Sequence, residues 1–264
     1  MIWLLGYLAL GAVAGFFAGL LGVGGGAIMV PVLALMFAAQ GFPAEHLMHL
    51  ALGTSMAAII FTSISSLRAH HRHGAVLWPI VWVIAPGIVL GTFAGAQLAS
   101  AIPTRPLAIF FTVFMSYVAF QMLANIKPKP SRQLPGSLGM FFVGSGIGAI
   151  SALVAIGGGS LSVPFMTWCN VKMHQAIGTS AAIGLPIAVA GTAGYLVGGS
   201  AATGMPEGSF GYIYLPALAY GVATSMLTAP LGAKAAHNLP VATLKKVFAG
   251  VILLLLAKMV HGLF

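Results

Sequence analysis

Between Met1 and Glu45 the chain contains no Lys, Arg, Asp or Glu. Comparable uncharged stretches cover 74–104, 106–126, 133–171, 173–206 and 208–233. Each can hold at least one helix of about 20 apolar residues, the length that crosses the hydrocarbon core of a bilayer. In lipid the backbone has only itself to bond to, which leaves helices and closed barrels as spanning structures. No stretch alternates polar and apolar residues as a barrel strand must. The chain is therefore expected to be an all-α polytopic membrane protein. Charged residues make up 5% of its 264 positions, against about 25% in a soluble domain.

A formal net charge of +9 invites a nucleic-acid reading, but the basic residues are spread over short connections. Retention of Lys and Arg on the cytoplasmic side explains them better. The partners expected are the lipid bilayer and a small solute, with no nucleic acid. The first apolar run has no basic region before it and no cleavage site, so it reads as a membrane helix rather than a signal peptide. The single cysteine, Cys169, can form no internal disulfide.

Within this apolar chain two unusual segments occur twice. Gly24-Gly25-Gly26-Ala27-Ile28-Met29-Val30-Pro31 returns 133 residues later as Gly157-Gly158-Gly159-Ser160-Leu161-Ser162-Val163-Pro164. His49-Leu50-Ala51-Leu52-Gly53-Thr54-Ser55 returns 125 residues later as His174-Gln175-Ala176-Ile177-Gly178-Thr179-Ser180. Gly74, Pro79, Gly95 and Pro103 then recur as Gly211, Pro216, Gly232 and Pro240, each 137 residues on. A register held to the end of each half marks a duplicated unit. The expected organisation is a first transmembrane repeat over 1–126, a linker over 127–136 and a second repeat over 137–264.

Each half contains about five apolar segments: 2–21, 27–39, 46–66, 76–100 and 104–125, then 137–155, 160–170, 174–197, 212–236 and 241–263. The second segment of each half is short, as a half-helix or one arm of a re-entrant hairpin would be, so eight to ten crossings are possible. Charge sets the orientation. Arg68 to His73 and the linker fall on one side, joined by Lys172, Lys245 and Lys246 if each second segment counts as a crossing, while Glu45, Glu207 and Arg105 fall on the other. The basic side, with linker 127–136, is expected in the cytoplasm. Both termini are then external, and an odd number of traversals per half makes the repeats inverted, a common transporter architecture.

Paired interruptions in the two halves of a membrane protein point to its binding site. A helix starting just after three glycines aims free N–H groups and its positive dipole end back at the turn, a setting suited to an anion. Candidate contacts are Gly24, Gly25, Gly26 and Ala27 in the first turn, and Gly157, Gly158, Gly159, Ser160 and Ser162 in the second. Ala27 lacks the hydroxyl of Ser160, so the site is expected to be asymmetric. Close helix packing is the competing use of the glycines. Thr54, Ser55, Thr179 and Ser180 add hydroxyls that either touch substrate or bond back to their own helix. His49 and His174 are candidates for a proton relay, since histidine titrates near physiological pH. They are expected toward opposite faces. Arg68, Arg72 and Lys234 could attract anions to the cytoplasmic mouth, although Lys234 also suits a snorkelling position at the membrane surface.

Other chemistries fit poorly. Gly22 to Ala27 matches a dinucleotide fingerprint, but inside a membrane segment and without a second copy. His70, His71 and His73 have no acidic or cysteine partners close in sequence to complete a metal site. No catalytic set is legible, and no enzyme activity or cofactor is expected. Two acids, both expected in loops, leave little to hold a cationic substrate.

The paired glycine turns, the Gly53-Thr54-Ser55 and Gly178-Thr179-Ser180 segments and the duplication resemble the TauE/SafE family of sulfite and organosulfonate exporters of bacterial inner membranes. The resemblance covers essentially the whole chain. It implies an inner-membrane secondary transporter exporting a small sulfur-containing anion, such as sulfite or sulfoacetate, with substrate near the glycine turns and the Gly-Thr-Ser segments. An anion channel, a permease for another small oxyanion and a non-transporting subunit of a larger complex are the alternatives. Oligomeric state is not legible, because small residues are too abundant to mark an interface.

Overall fold

A computed structural model describes residues 2–21, 25–124, 131–238 and 241–263. Its ten α-helices fall five to each half: α1 Ile2–Leu21, α2 Gly26–Ala39, α3 Leu47–Arg72, α4 Trp78–Ala101 and α5 Thr104–Leu123, then α6 Ser137–Val154, α7 Gly159–Trp168, α8 Met173–Gly198, α9 Leu215–Asn238 and α10 Val241–Leu263. A one-turn 3-10 helix at Ala44–His46 precedes α3. Before α9, a small antiparallel hairpin pairs Ser209 with Tyr214 and Phe210 with Ile213. The protein is an all-α polytopic membrane protein. Six of the helices (α1, α3, α4, α5, α6 and α8) are long and apolar enough to cross a bilayer. At 24 and 23 residues, α9 and α10 have the length as well.

The short second helices are the arms of hairpins. At 14 and 10 residues, α2 and α7 extend only about 21 and 15 Å at 1.5 Å per residue, against a core of about 30 Å. Gly25 lies against the Ala14 carbonyl of α1, and the side chain of Gln40, just past α2, donates to the Tyr7 hydroxyl at 2.6 Å. So α2 returns toward the end where α1 began. In the second half, the N–H groups of Ser131 and Arg132 bond the Trp168 carbonyl, which returns the end of α7 to the end where α6 starts. Besides these two short arms, the described residues hold eight long helices.

The two halves interlock. Gly11 and Gly15 of α1 lie against the backbone of Gly221 and Ser225 in α9, while Gly144 and Gly148 of α6 lie against Ile84 and Ile88 in α4. These are the same contacts offset by 133 residues on one side and 137 on the other. Each opening helix therefore runs parallel to the fourth helix of the other repeat, at a distance only small residues permit.

The contacts also separate two ends. At the first, His46 donates to the Thr203 carbonyl, Thr104 donates to the Glu45 carbonyl, and α1 starts. At the second, Ser131 meets Trp168 and Leu77 meets Thr179. There α4 starts, and with it α6, which runs parallel. Because α1 and α6 begin at opposite ends, the repeats are inverted. Between them α3 is the most enclosed span, with 83% of its apolar window inside the fold against 33–39% for α1, α4, α5 and α6.

Candidate functional site

Both glycine turns use a residue in left-handed backbone to start the returning helix: Gly25 at φ 76° and Gly158 at φ 81°. A side chain would be strained there. The first helical bonds follow, from the N–H of Met29 to Gly25 and from Ser162 to Gly158. Six residues after each of these glycines comes a helix-interior proline, Pro31 or Pro164, which can donate nothing to the carbonyl four residues before it. The two turns meet each other. A β-carbon placed on Gly26 would lie 1.7 Å from the Ala155 carbonyl that leads into the second turn. Gly26 and Ala27 are consequently packed away, and Gly24 lies outside the described residues.

The second turn is the more open and the more polar. With Thr62, Ser63 and Ser66 of α3, Ala18 of α1 and Gly184 of α8, Gly157 lines a narrow cleft, in the second half of α3 and the first half of α8. The cleft has room for about one water molecule. Ser63 is 5% exposed and makes no hydrogen bond to a described residue. A β-carbon on Gly184 would sit 3.2 Å from the Ser63 hydroxyl and 2.9 Å from the Gly157 carbonyl, so the glycine keeps the slot open. Beside it, Ser162 bonds the Gly158 carbonyl at 2.9 Å and the Ser180 hydroxyl at 2.8 Å. The Ser160 hydroxyl is buried without a partner among the described residues, as is that of Ser55.

Thr54 and Thr179 join the repeats. The Thr54 hydroxyl accepts from the Tyr214 N–H at 2.9 Å, and Thr179 accepts from the Leu77 N–H at 3.0 Å. The glycines before them make matching approaches: a β-carbon on Gly53 would be 2.2 Å from the Tyr212 carbonyl, and one on Gly178 2.6 Å from that of Ala75. Each Gly-Thr pair thus grips the backbone leading into a helix of the other half, one at each end of the molecule.

Neither histidine lines the cleft. His49 is buried at the Glu45 end, donating from Nε2 to the carbonyls of Ala99 at 3.2 Å and Ile102 at 3.0 Å and stacking on Tyr212. From Ser63 it is fourteen residues along α3, or about 21 Å. His174 is exposed at the opposite end. Arg68, Arg72 and Lys234 are exposed at that same second end, beside the linker.

Reading by repetition missed Thr62, Ser63, Ser66, Ala18, Ala181 and Gly184. The signal was the hydroxyl run Thr62-Ser63-Ile64-Ser65-Ser66 inside an apolar helix. Its counterparts in α8 are Ile187, Ala188, Val189, Ala190 and Gly191. A search for what recurs passes over what occurs once.

Residues 7–259 match the family described as Sulfite exporter TauE/SafE. A "Probable membrane transporter protein" of Haemophilus influenzae is 40% identical over 243 residues, covering 92% of each chain. The Bacillus subtilis "Probable membrane transporter protein YdhB" is 27% identical over 239 residues, covering 88% of this chain and 89% of its own. The "Probable membrane transporter protein MJ0441" of Methanocaldococcus jannaschii is 25% identical over 211 residues, or 78% and 76% of the two chains. No solved structure matches.

Proposed function

The chain belongs to the Sulfite exporter TauE/SafE family, and from that premise we propose that it exports a small sulfur-containing anion, sulfite or an organosulfonate such as sulfoacetate, by alternating access. That it is a membrane transporter and not an enzyme follows from the family and its relatives. The anion, the direction and the mechanism are our reading. The observation that carries it is the cleft at the second glycine turn: narrow, inside the fold, lined by hydroxyls and small residues, and with no acidic side chain in its lining. Neutral hydroxyl donors suit an anion that must also leave.

The narrowness of the cleft fits an occluded state, in which the halves have closed around the site. Inverted halves gripped at both ends by Gly-Thr pairs suit the exchange, since loosening one grip at a time would open one end at a time. We place the linker end in the cytoplasm of a bacterial inner membrane, where exposed Arg68, Arg72 and Lys234 would draw anions to the mouth. Outward movement then needs no proton, because an inside-negative potential contributes about 2.3 kcal/mol per charge per 100 mV.

The test is flux of sulfite and of sulfoacetate in proteoliposomes of the purified protein. A carrier gives flux that saturates with concentration. Single-channel conductance without saturation would make the protein a pore. No flux of either anion, in protein shown to be folded and inserted, would remove the sulfur-anion substrate.

A further inference from the structure

In its narrow form the cleft presents oxygen lone pairs more than protons. The backbone group that faces it is the Gly157 carbonyl, which accepts no hydrogen bond from a described residue. Gly157 lies in the unwound stretch between the end of α6 at Val154 and the start of α7 at Gly159. The Thr62 hydroxyl donates its proton to the Ile59 carbonyl at 3.2 Å, so it turns lone pairs to the cleft. The Ser63 and Ser66 hydroxyls can offer lone pairs as readily as protons. These oxygens converge: the point beside Gly184 where a β-carbon would sit is 3.2 Å from the Ser63 hydroxyl and 2.9 Å from the Gly157 oxygen.

The lining also narrows the choice of ligand. No Asp, Glu, His, Lys or Arg takes part in it. A proton has no titratable side chain to occupy there. Hard dications are held through carboxylates, and the cleft has none. Neutral oxygens do replace the hydration shell of a bare monovalent cation: carbonyl rings do so in channel filters, and unwound backbone carbonyls hold Na+ in carriers built from inverted repeats. Room for about one water molecule suits Na+ better than the larger K+.

Building on the transport reading above, we propose that the closed cleft holds one dehydrated Na+ ion among the oxygens of Thr62, Ser63, Ser66 and Gly157, and that the carrier brings this ion inward after releasing its anion. The anion needs the halves apart. Once they close, the same hydroxyls and the carbonyl serve a cation. Na+ moving in and an anion moving out shift charge in the same sense, so an inside-negative potential favours both steps.

The first arm of the experiment reads binding alone and does not depend on the transport reading. It follows thermal unfolding of the purified protein in detergent against NaCl concentration, with KCl and choline chloride at equal ionic strength as controls. The expected result is a melting temperature that rises with Na+ and saturates, by about 3 °C or more. Ser65→Ala, in the same hydroxyl run but outside the lining, should keep the effect. Ser63→Ala, which breaks no hydrogen bond to a described residue, and Gly184→Ala, which keeps every oxygen but fills the space, should each lose it. Equal stability of wild type in NaCl and in either control, as a water molecule in the cleft would give, overturns the site. So does an undiminished Na+ effect in folded Ser63→Ala. The second arm measures sulfite efflux from proteoliposomes with NaCl or choline chloride outside. External Na+ should accelerate efflux several-fold, and efflux indifferent to it overturns the exchange. If no sulfite moves in either salt, the transport reading falls, and the first arm still decides the cation site.

Discussion

Thr54 and Thr179 show how a residue can be conspicuous in sequence while its task is not. Their spacing from the glycine turns made them candidate substrate contacts. In the fold their hydroxyls accept the N–H groups of Tyr214 and Leu77, 160 and 102 residues away, and a partner at that distance leaves no local trace. Thr54→Val or Thr179→Val should leave an N–H unpaired at the junction of the halves, which costs about 1–3 kcal/mol. The expected outcome is a lower melting temperature in detergent for both valine variants and near wild-type stability for Thr→Ser at the same positions. Equal melting of the valine and serine variants would mean that the hydroxyl does not hold the junction. His49 makes a related point. Its recurrence with His174 was legible, but its bonds to Ala99 and Ile102 were not. His49→Ala should lower stability by untying the start of α3 from the end of α4, while the pH dependence of sulfite flux stays that of wild type. Flux that loses its pH dependence in a stable His49→Ala protein would restore a relay role.

At the scale of elements, the apolar segments were legible almost to the residue. All the helices except α3 and α9 begin and end within two residues of the expected bounds, because charged, Gly or Pro residues interrupt most of the apolar runs there. The end of α3 was placed at 66 and lies at Arg72. The basic and histidine residues that marked a loop in sequence instead form its last two turns, favoured by the negative dipole end of a helix. The pairing of helices was not legible. Nothing in the order of segments says that α1 packs on α9, or α6 on α4, since small residues are spread through the chain. The seams make a sharp expectation. A β-carbon on Gly91 would lie 2.1 Å from the Ser145 carbonyl of α6, so Gly91→Leu must force α4 and α6 apart. It should abolish folded protein on gel filtration, whereas Gly146→Ala, at a position with open space around it, should accumulate as wild type. Normal yield and melting of Gly91→Leu would show that the seam is looser than described.

The whole molecule is two inverted repeats that each complete the other, with one polar slot where the symmetry fails. The duplication, the inversion and the preference for an anion could be argued from repetition and charge. The slot could not, because its hydroxyls belong to the unrepeated stretch from Thr62 to Ser66. The orientation proposed for the molecule predicts that a cysteine at Ser131, introduced with Cys169 replaced by Ala, is labelled by an impermeant thiol reagent only from the cytoplasmic side. One at Glu207 should be labelled only from the other. Reversed labelling would turn the molecule over and make its driving force oppose export. The most direct measurement is sulfite efflux from proteoliposomes holding purified wild-type protein, recorded with and without an imposed inside-negative potential. Saturable efflux that accelerates with the potential is the predicted result. Efflux absent from folded, inserted protein under both conditions would contradict outward carriage of a sulfur anion.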